Sequence, residues 1–189
     1  VCVVLCRVPD WVECALSERD LMCRGGEATA VIGGTGCGKS TLARLILRFY
    51  DVTDGEVAVN GMDVRDMTQN ELRSQISYVP QKAWLFSGTI ADNLRYGNEE
   101  AQEEEMRRIL SVAQADFVSG LANGLDAHVA QGGTNYSGGQ KQRLSIARAL
   151  MKKADLYIFD ASFSALDFKT DAALRKALIQ DISDSAVLH

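Results

Sequence analysis

Gly33-Gly34-Thr35-Gly36-Cys37-Gly38-Lys39-Ser40 has the residue types and spacing of a phosphate cradle, G-x-x-x-x-G-K-[ST]. Glycines let successive backbone N–H groups turn inward onto an anion, and a helix that starts at the lysine adds a favourable dipole. Lys39 would then meet the β and γ phosphates of a nucleotide, and the Ser40 hydroxyl would ligate Mg²⁺. Cys37 lies inside the loop beside Lys39, a setting that favours the thiolate. Leu156-Tyr157-Ile158-Phe159-Asp160 is an apolar run ending in a carboxylate, which a phosphate-loop site places next to the Mg²⁺.

A second glycine cluster holds Gly132, Gly133, Gly138 and Gly139. Within it, Ser137 before Gly138 and Gly139 reads as a helix N-cap. The same glycines would also expose backbone donors to an incoming phosphate, and both readings stand.

These residues need elements to hold them. Short apolar runs alternate with longer segments of helical period, the pattern of a largely parallel sheet covered by helices, so the fold class is α/β. Strands are expected at 29–32, 56–59, 76–79, 156–159 and 186–188. Helices are expected at 39–49, 102–113, 138–151 and 171–182. The phosphate loop thus sits between a strand and a helix, as its motif requires. Between Tyr78 and Asp160 the chain is largely helical, which reads as a helical lobe inserted into a nucleotide-binding core. The carboxylates from Glu99 to Glu105 read as a solvated helix start favoured by the dipole, not as a metal site.

The bulk properties fit one globular domain. The chain has 189 residues, 47% hydrophobic and 24% charged, and a formal net charge of −5, which argues against a broad nucleic-acid-binding face. No apolar run has the length needed to span a bilayer, and the chain opens on Val1 without a signal-like leader, so it is expected to be a piece of a longer protein with membrane segments upstream. Five cysteines, Cys2, Cys6, Cys14, Cys23 and Cys37, are odd in number and lack a C-x-x-C pair, which suits a reducing compartment better than disulfides or zinc.

Ser137-Gly138-Gly139-Gln140, followed by Lys141 to Leu150 and preceded by Tyr136, resembles the signature of ABC transporter ATPase domains. Gln81 in Tyr-Val-Pro-Gln resembles the Q-loop of that family, and Ser164-Ala165-Leu166-Asp167 its D-loop. Phe86 to Ile90 and Val129 to Gly133 look like exporter-type contact regions for transmembrane coupling helices, with Gln131 where exporters often carry Glu. The resemblance, to multidrug and lipid exporters, covers about Leu16 to Leu188. It implies a phosphate-loop NTPase core at about 1–80 and 154–189, a helical subdomain at about 83–152 and a small antiparallel β region near the N-terminus.

ATP and Mg²⁺ are the implied cofactors, with Thr41 joining Gly33 to Ser40 as a nucleotide contact and Ser40, Gln81 and Asp160 around the metal. The implied partners are a second such domain, in a head-to-tail homo- or heterodimer, and the transmembrane domains of an exporter at the cytoplasmic face of the plasma membrane. ATP would be sandwiched between the loop of one copy and Tyr136 to Gln140 of the other, with Asp167 across the interface.

The sequence departs from the family in three places. Where the family carries a catalytic acid after Asp160, this chain has Ala161, whose methyl group can neither accept a proton nor polarise water. Its own site is therefore expected to bind ATP but hydrolyse it slowly, as in a degenerate half of a heterodimer or an engineered variant. His189 comes too early to be the switch histidine, His128 is a polar loop residue, and the switch region is expected to be truncated. Val8 falls where an aromatic stacks on adenine; Trp11 is nearby, and base stacking stays unassigned. A non-transport ABC ATPase and a binding-only regulatory domain are the competing readings.

Overall fold

The computed structural model describes residues 2–7, 19–34 and 38–189, with the backbone alone for 2–7 and 19–20. Thr35, Gly36 and Cys37 of the phosphate loop, and Val8 and Trp11, lie outside the described residues. Two compact units emerge: Val1–Tyr78 with Ala154–Asp160 and Asp184–His189, and Val79–Lys153 with Ala161–Ser183. The stretch after Asp160, placed with the core by the sequence reading, groups with the helical unit.

Among the described residues, the first unit contains two sheets. One is antiparallel throughout and runs β2 (Arg19–Cys23), β1 (Cys2–Arg7), β4 (Asp54–Val59), β5 (Met62–Asp63). The strand expected at 56–59 belongs here and not to a parallel sheet. The reason is the Asn60-Gly61 pair, both residues at positive φ (50° and 80°), which closes a two-residue hairpin and forces antiparallel pairing of Val59 with Met62.

The other sheet has the order β3 (Ala28–Thr29), β10 (Ala186–Leu188), β9 (Leu156–Phe159), β6 (Ile76–Val79). β10 pairs in parallel with both β3 and β9. The strand expected at 29–32 is laddered only at Ala28 and Thr29, although the Val31 N–H still donates to the His189 carbonyl at 2.7 Å.

Helix α1 (Lys39–Ile46) buries Leu42, Ala43, Leu45 and Ile46, a stripe at helical spacing that joins Val57, Val59, Leu72, Ile76, Ile158 and Leu188 in one core. It stops three residues short of the expected end. Arg48 turns left-handed (φ 52°), Phe49 N–H donates to the Arg44 carbonyl and Arg48 N–H to that of Leu45, which is a Schellman closure. An arginine holds this glycine-favouring position because its guanidinium donates to the carbonyls of Val64 and Met67 and to the Asp51 carboxylate. Helix α2 (Gln69–Ser74), capped by Thr68 and Glu71 reciprocally, leads into β6.

The second unit is built from α3 (Ile90–Arg95), α4 (Glu103–Val112), α5 (Gly138–Leu150) and α6 (Phe168–Asp181). A two-stranded ribbon joins them, β7 (Gly88–Thr89) with β8 (His128–Val129). Helix α5 packs on α3 and α4, and α4 on α6, around buried Leu94, Met106, Ile109, Leu144, Ala147, Leu150 and Leu174. At the start of α4, Glu103 pairs with Arg107 and Glu105 with Lys153. Helix α6 begins earlier than expected because Asp167 caps it, accepting from the Thr170 N–H at 3.0 Å.

Ile46 is fully buried at the centre of the first core. Replacing it by Ala is expected to destabilise the chain by about 2–5 kcal/mol in urea unfolding; a loss below about 1 kcal/mol would show that α1 is not packed as described.

Candidate functional site

Helix α1 begins with no side-chain cap at Gly38, whose φ of 92° is open chiefly to glycine. That backbone aims the first amides of α1 out of the helix, where no intrahelical carbonyl can receive them. Lys39 folds back over the loop, its Nζ donating to the carbonyl of Gly33 and, at 2.9 Å, to that of Gly34. A Cβ on Gly34 would meet nothing within 4 Å, so packing does not require glycine there. An ammonium held among exposed backbone dipoles at a helix start is chemistry suited to a polyphosphate.

One turn into the helix, the Ser40 hydroxyl donates to Asp160 Oδ1 at 2.9 Å. Asp160 leaves the fully buried strand β9, and its Oδ2 accepts from the Tyr78 hydroxyl at 3.1 Å. Burial, together with the neighbouring Asp160 charge and hydrogen bond, pushes the Tyr78 phenol up to about 12, so it remains a protonated donor at neutral pH. The serine and aspartate oxygens form a hard donor set of the kind Mg²⁺ prefers. Tyr78 was not singled out by the sequence, where it is one apolar-strand residue among several. Only the placement of β6 beside β9 brings its hydroxyl to the carboxylate. Thr41 follows Ser40 in the first turn, half-buried.

In the second unit, Ser137 and Gln140 form a reciprocal capping box: the Gln140 N–H donates to Ser137 Oγ, and the Ser137 N–H to Gln140 Oε1. This cap satisfies only one of the first amides of α5. The N–H groups of Gly138 and Gly139 have no intrahelical acceptor, and a Cβ on Gly138 would meet nothing within 4 Å. The capped-start and phosphate-donor readings of the motif are therefore compatible. A Cβ on Gly139 would stand 3.4 Å from the carbonyl of Ala165, so the glycine pair lies against the segment Ser164 to Asp167. Asp167 spends its carboxylate on Thr170, and these hydrogen bonds hold it below the usual carboxylate range. Leu166 closes a turn onto the Phe163 carbonyl.

Behind the motif, Tyr136 donates its hydroxyl to the His128 carbonyl, and the Asn135 amide both donates to that carbonyl and accepts from the Ala130 N–H. Burial raises the Tyr136 phenol above its ordinary value. Gln81, just past β6, is exposed. Ala161 is also exposed and adopts a left-handed backbone (φ 46°), uncommon for a residue with a Cβ. Its carbonyl accepts from the Ser164 hydroxyl and N–H, while buried Ser162 donates to the Val79 carbonyl.

The segments 86–90 and 129–133, far apart in sequence, are brought together. Gly88 pairs with Val129 across the β7–β8 ribbon, and the Gly132 N–H donates to the Leu85 carbonyl at 2.9 Å. Asn93, buried, fixes the turn by accepting from the Phe86 N–H and donating to the carbonyls of Phe86 and Thr89. Around this ribbon Trp84, Phe86 and Tyr96 are exposed, with Arg148 lying over the Phe86 ring and donating to the Trp84 carbonyl. Exposed aromatics grouped in this way suit a protein interface.

A profile described as ABC transporter matches residues 16–164. Among curated relatives, an uncharacterized ABC transporter ATP-binding protein of Mycobacterium bovis is 51% identical over 177 residues, covering 92% of this chain and 30% of the relative. An ATP-dependent lipid A-core flippase of Desulfotalea psychrophila is 45% identical over 164 residues, covering 86% and 29%. The chain thus spans roughly a third or less of the length of the relatives it matches. A solved bacterial Atm1-family ABC exporter with ATP bound has the same fold, with a TM-score of 0.90 and 34% identity over 99% of this chain and 34% of that one.

Two glycines separate access from packing. Gly138→Ala is expected to leave thermal stability unchanged or raise it by up to about 1 kcal/mol, because the added methyl meets open space. Gly133→Ala puts a Cβ 2.9 Å from Lys141 Cδ and 3.0 Å from Leu85 Cδ1 at a φ of 65°, and should lose about 1–3 kcal/mol. Equal melting shifts for the two variants would contradict this assignment.

Proposed function

The chain belongs to the ABC transporter family, and from that premise we propose that it is the ATP-binding module of a transmembrane exporter. The observation that carries the reading is the meeting of Ser40 and Asp160 at 2.9 Å, one turn into the helix that the phosphate loop opens. Gly33 to Lys39 would hold the triphosphate, and Thr41 would flank it. Ser40 and Asp160, with Gln81, would hold Mg²⁺, which neutralises charge on the β and γ phosphates when bound.

Tyr136 to Gln140 would close over ATP held by a second copy or a homologous partner in a head-to-tail dimer. The free amides of Gly138 and Gly139 support that role. Ser164 to Asp167, lying against the glycine pair, would sit at the same dimer face. The aromatic face around β7 and β8 would receive the transmembrane domains, and the module would then work at the cytoplasmic face of a membrane. Among the described residues no helix is long and apolar enough to cross one.

Ala161 favours a narrower reading, in which this module clamps ATP but relies on its partner for turnover. A missing general base lowers the chemical step by about 10²- to 10⁴-fold while leaving phosphate contacts in place. The purified chain should therefore bind ATP and hydrolyse it very slowly. Ala161→Glu should raise turnover by at least about tenfold with little change in ATP affinity. Steady-state phosphate release measures the first and equilibrium titration the second. If the native chain already hydrolyses ATP as fast as Ala161→Glu, the impaired-site reading fails.

A further inference from the structure

We propose that Tyr78 is a positioning residue for the metal: its hydroxyl clamps the Asp160 carboxylate so that Ser40 keeps its oxygen lone pairs directed at Mg²⁺. The inference rests on the reading of Gly33 to Ser40 as a MgATP site.

A carboxylate on a strand end rotates about its terminal bond unless both oxygens are engaged. Asp160 is engaged on both. Oδ1 accepts from Ser40 at 2.9 Å and Oδ2 from Tyr78 at 3.1 Å. The first contact sets which way the serine proton points, because a hydroxyl has one proton and two lone pairs. With that proton given to Oδ1, the lone pairs face away from Asp160 and are free for a cation. The second contact holds Oδ1 where it can take the proton.

Without the Tyr78 hydroxyl the carboxylate loses one of the donors that hold it, and the acceptor of the Ser40 proton is less firmly placed. Mg²⁺ demands near-ideal octahedral geometry and tolerates misplaced ligands poorly, so the effect should appear in metal affinity. Groups that orient metal ligands from behind contribute about 10- to 100-fold to metal binding. Tyr78 is suited to this task because it is half-buried on β6, where its hydroxyl reaches Oδ2 at 3.1 Å.

The test is the metal dependence of ATP binding, measured on the full chain by calorimetry in EDTA and again in saturating Mg²⁺, for the native protein and for Tyr78→Phe. Mn²⁺ electron paramagnetic resonance of the ATP complex gives an independent reading of the metal. Tyr78→Phe keeps the ring and removes only the hydroxyl. The expected result is that the enhancement of ATP affinity by Mg²⁺ falls by about 10- to 100-fold, with affinity in EDTA unmoved and the Mn²⁺ site weakened in parallel.

An unchanged enhancement would overturn the proposal, and so would an equal loss of affinity with and without metal, which marks a merely structural tyrosine. A Tyr78→Phe chain that does not fold by circular dichroism would overturn it too, since the hydroxyl would then be needed for the fold and not for the metal. A native chain that binds no ATP in either buffer would instead remove the underlying site reading, and is recognised before any substitution is made.

Discussion

A carboxylate at the end of a fully buried strand is costly to fold unless its oxygens are satisfied, and the first unit is organised around that requirement at Asp160. The two hydroxyls that meet it come from different elements, Ser40 from the first turn of α1 and Tyr78 from β6. All three elements must therefore be in register together. The buried stripe of α1 fixes the helix against the core, and the order β10, β9, β6 brings the strand ends side by side. Because strand side chains alternate in direction, a slip of one residue in β6 would turn Tyr78 to the opposite face, away from Oδ2.

The second unit solves a different problem, how to leave backbone donors open at a helix start without destabilising the helix. The capping box between Ser137 and Gln140 satisfies one amide and stabilises the first turn, by about 1 kcal/mol for a cap of this kind. Two glycines then present the remaining amides with no side chain above Gly138. The opening of α1 uses the same physics differently. Its backbone turns left-handed at Gly38, there is no side-chain cap, and Lys39 lies over the loop carbonyls.

Much of this was legible in the sequence, because the motifs are short and local. The helix start at Lys39, the strand ending at Asp160 and the Ser137-capped start of α5 depend on neighbours within a few residues, and the helices at 102–113 and 138–151 follow from their period. What was missed depends on contacts distant along the chain. Tyr78 acquires its role only from the adjacency of β6 and β9. The pairing of β7 with β8, which unites 86–90 with 129–133, joins residues about forty positions apart and has almost no strand length to announce it. The early end of α1 at Arg48 was hidden because an arginine occupies a position where the sequence rule looks for glycine. The antiparallel setting of 56–59 is encoded by Asn60-Gly61, a two-residue hairpin signal that the surrounding α/β pattern masks.

The claim on which all of this stands is that Lys39, over the Gly33 and Gly34 carbonyls, marks the seat of a nucleotide triphosphate. Isothermal titration of MgATP into the folded chain tests it most directly, with Lys39→Ala alongside. The account predicts saturable heat for the native chain and a loss of affinity of about 100-fold or more for Lys39→Ala, the cost of removing a charge-assisted contact to phosphate. No heat from the native chain at millimolar MgATP, or indistinguishable isotherms for the two proteins, would contradict it.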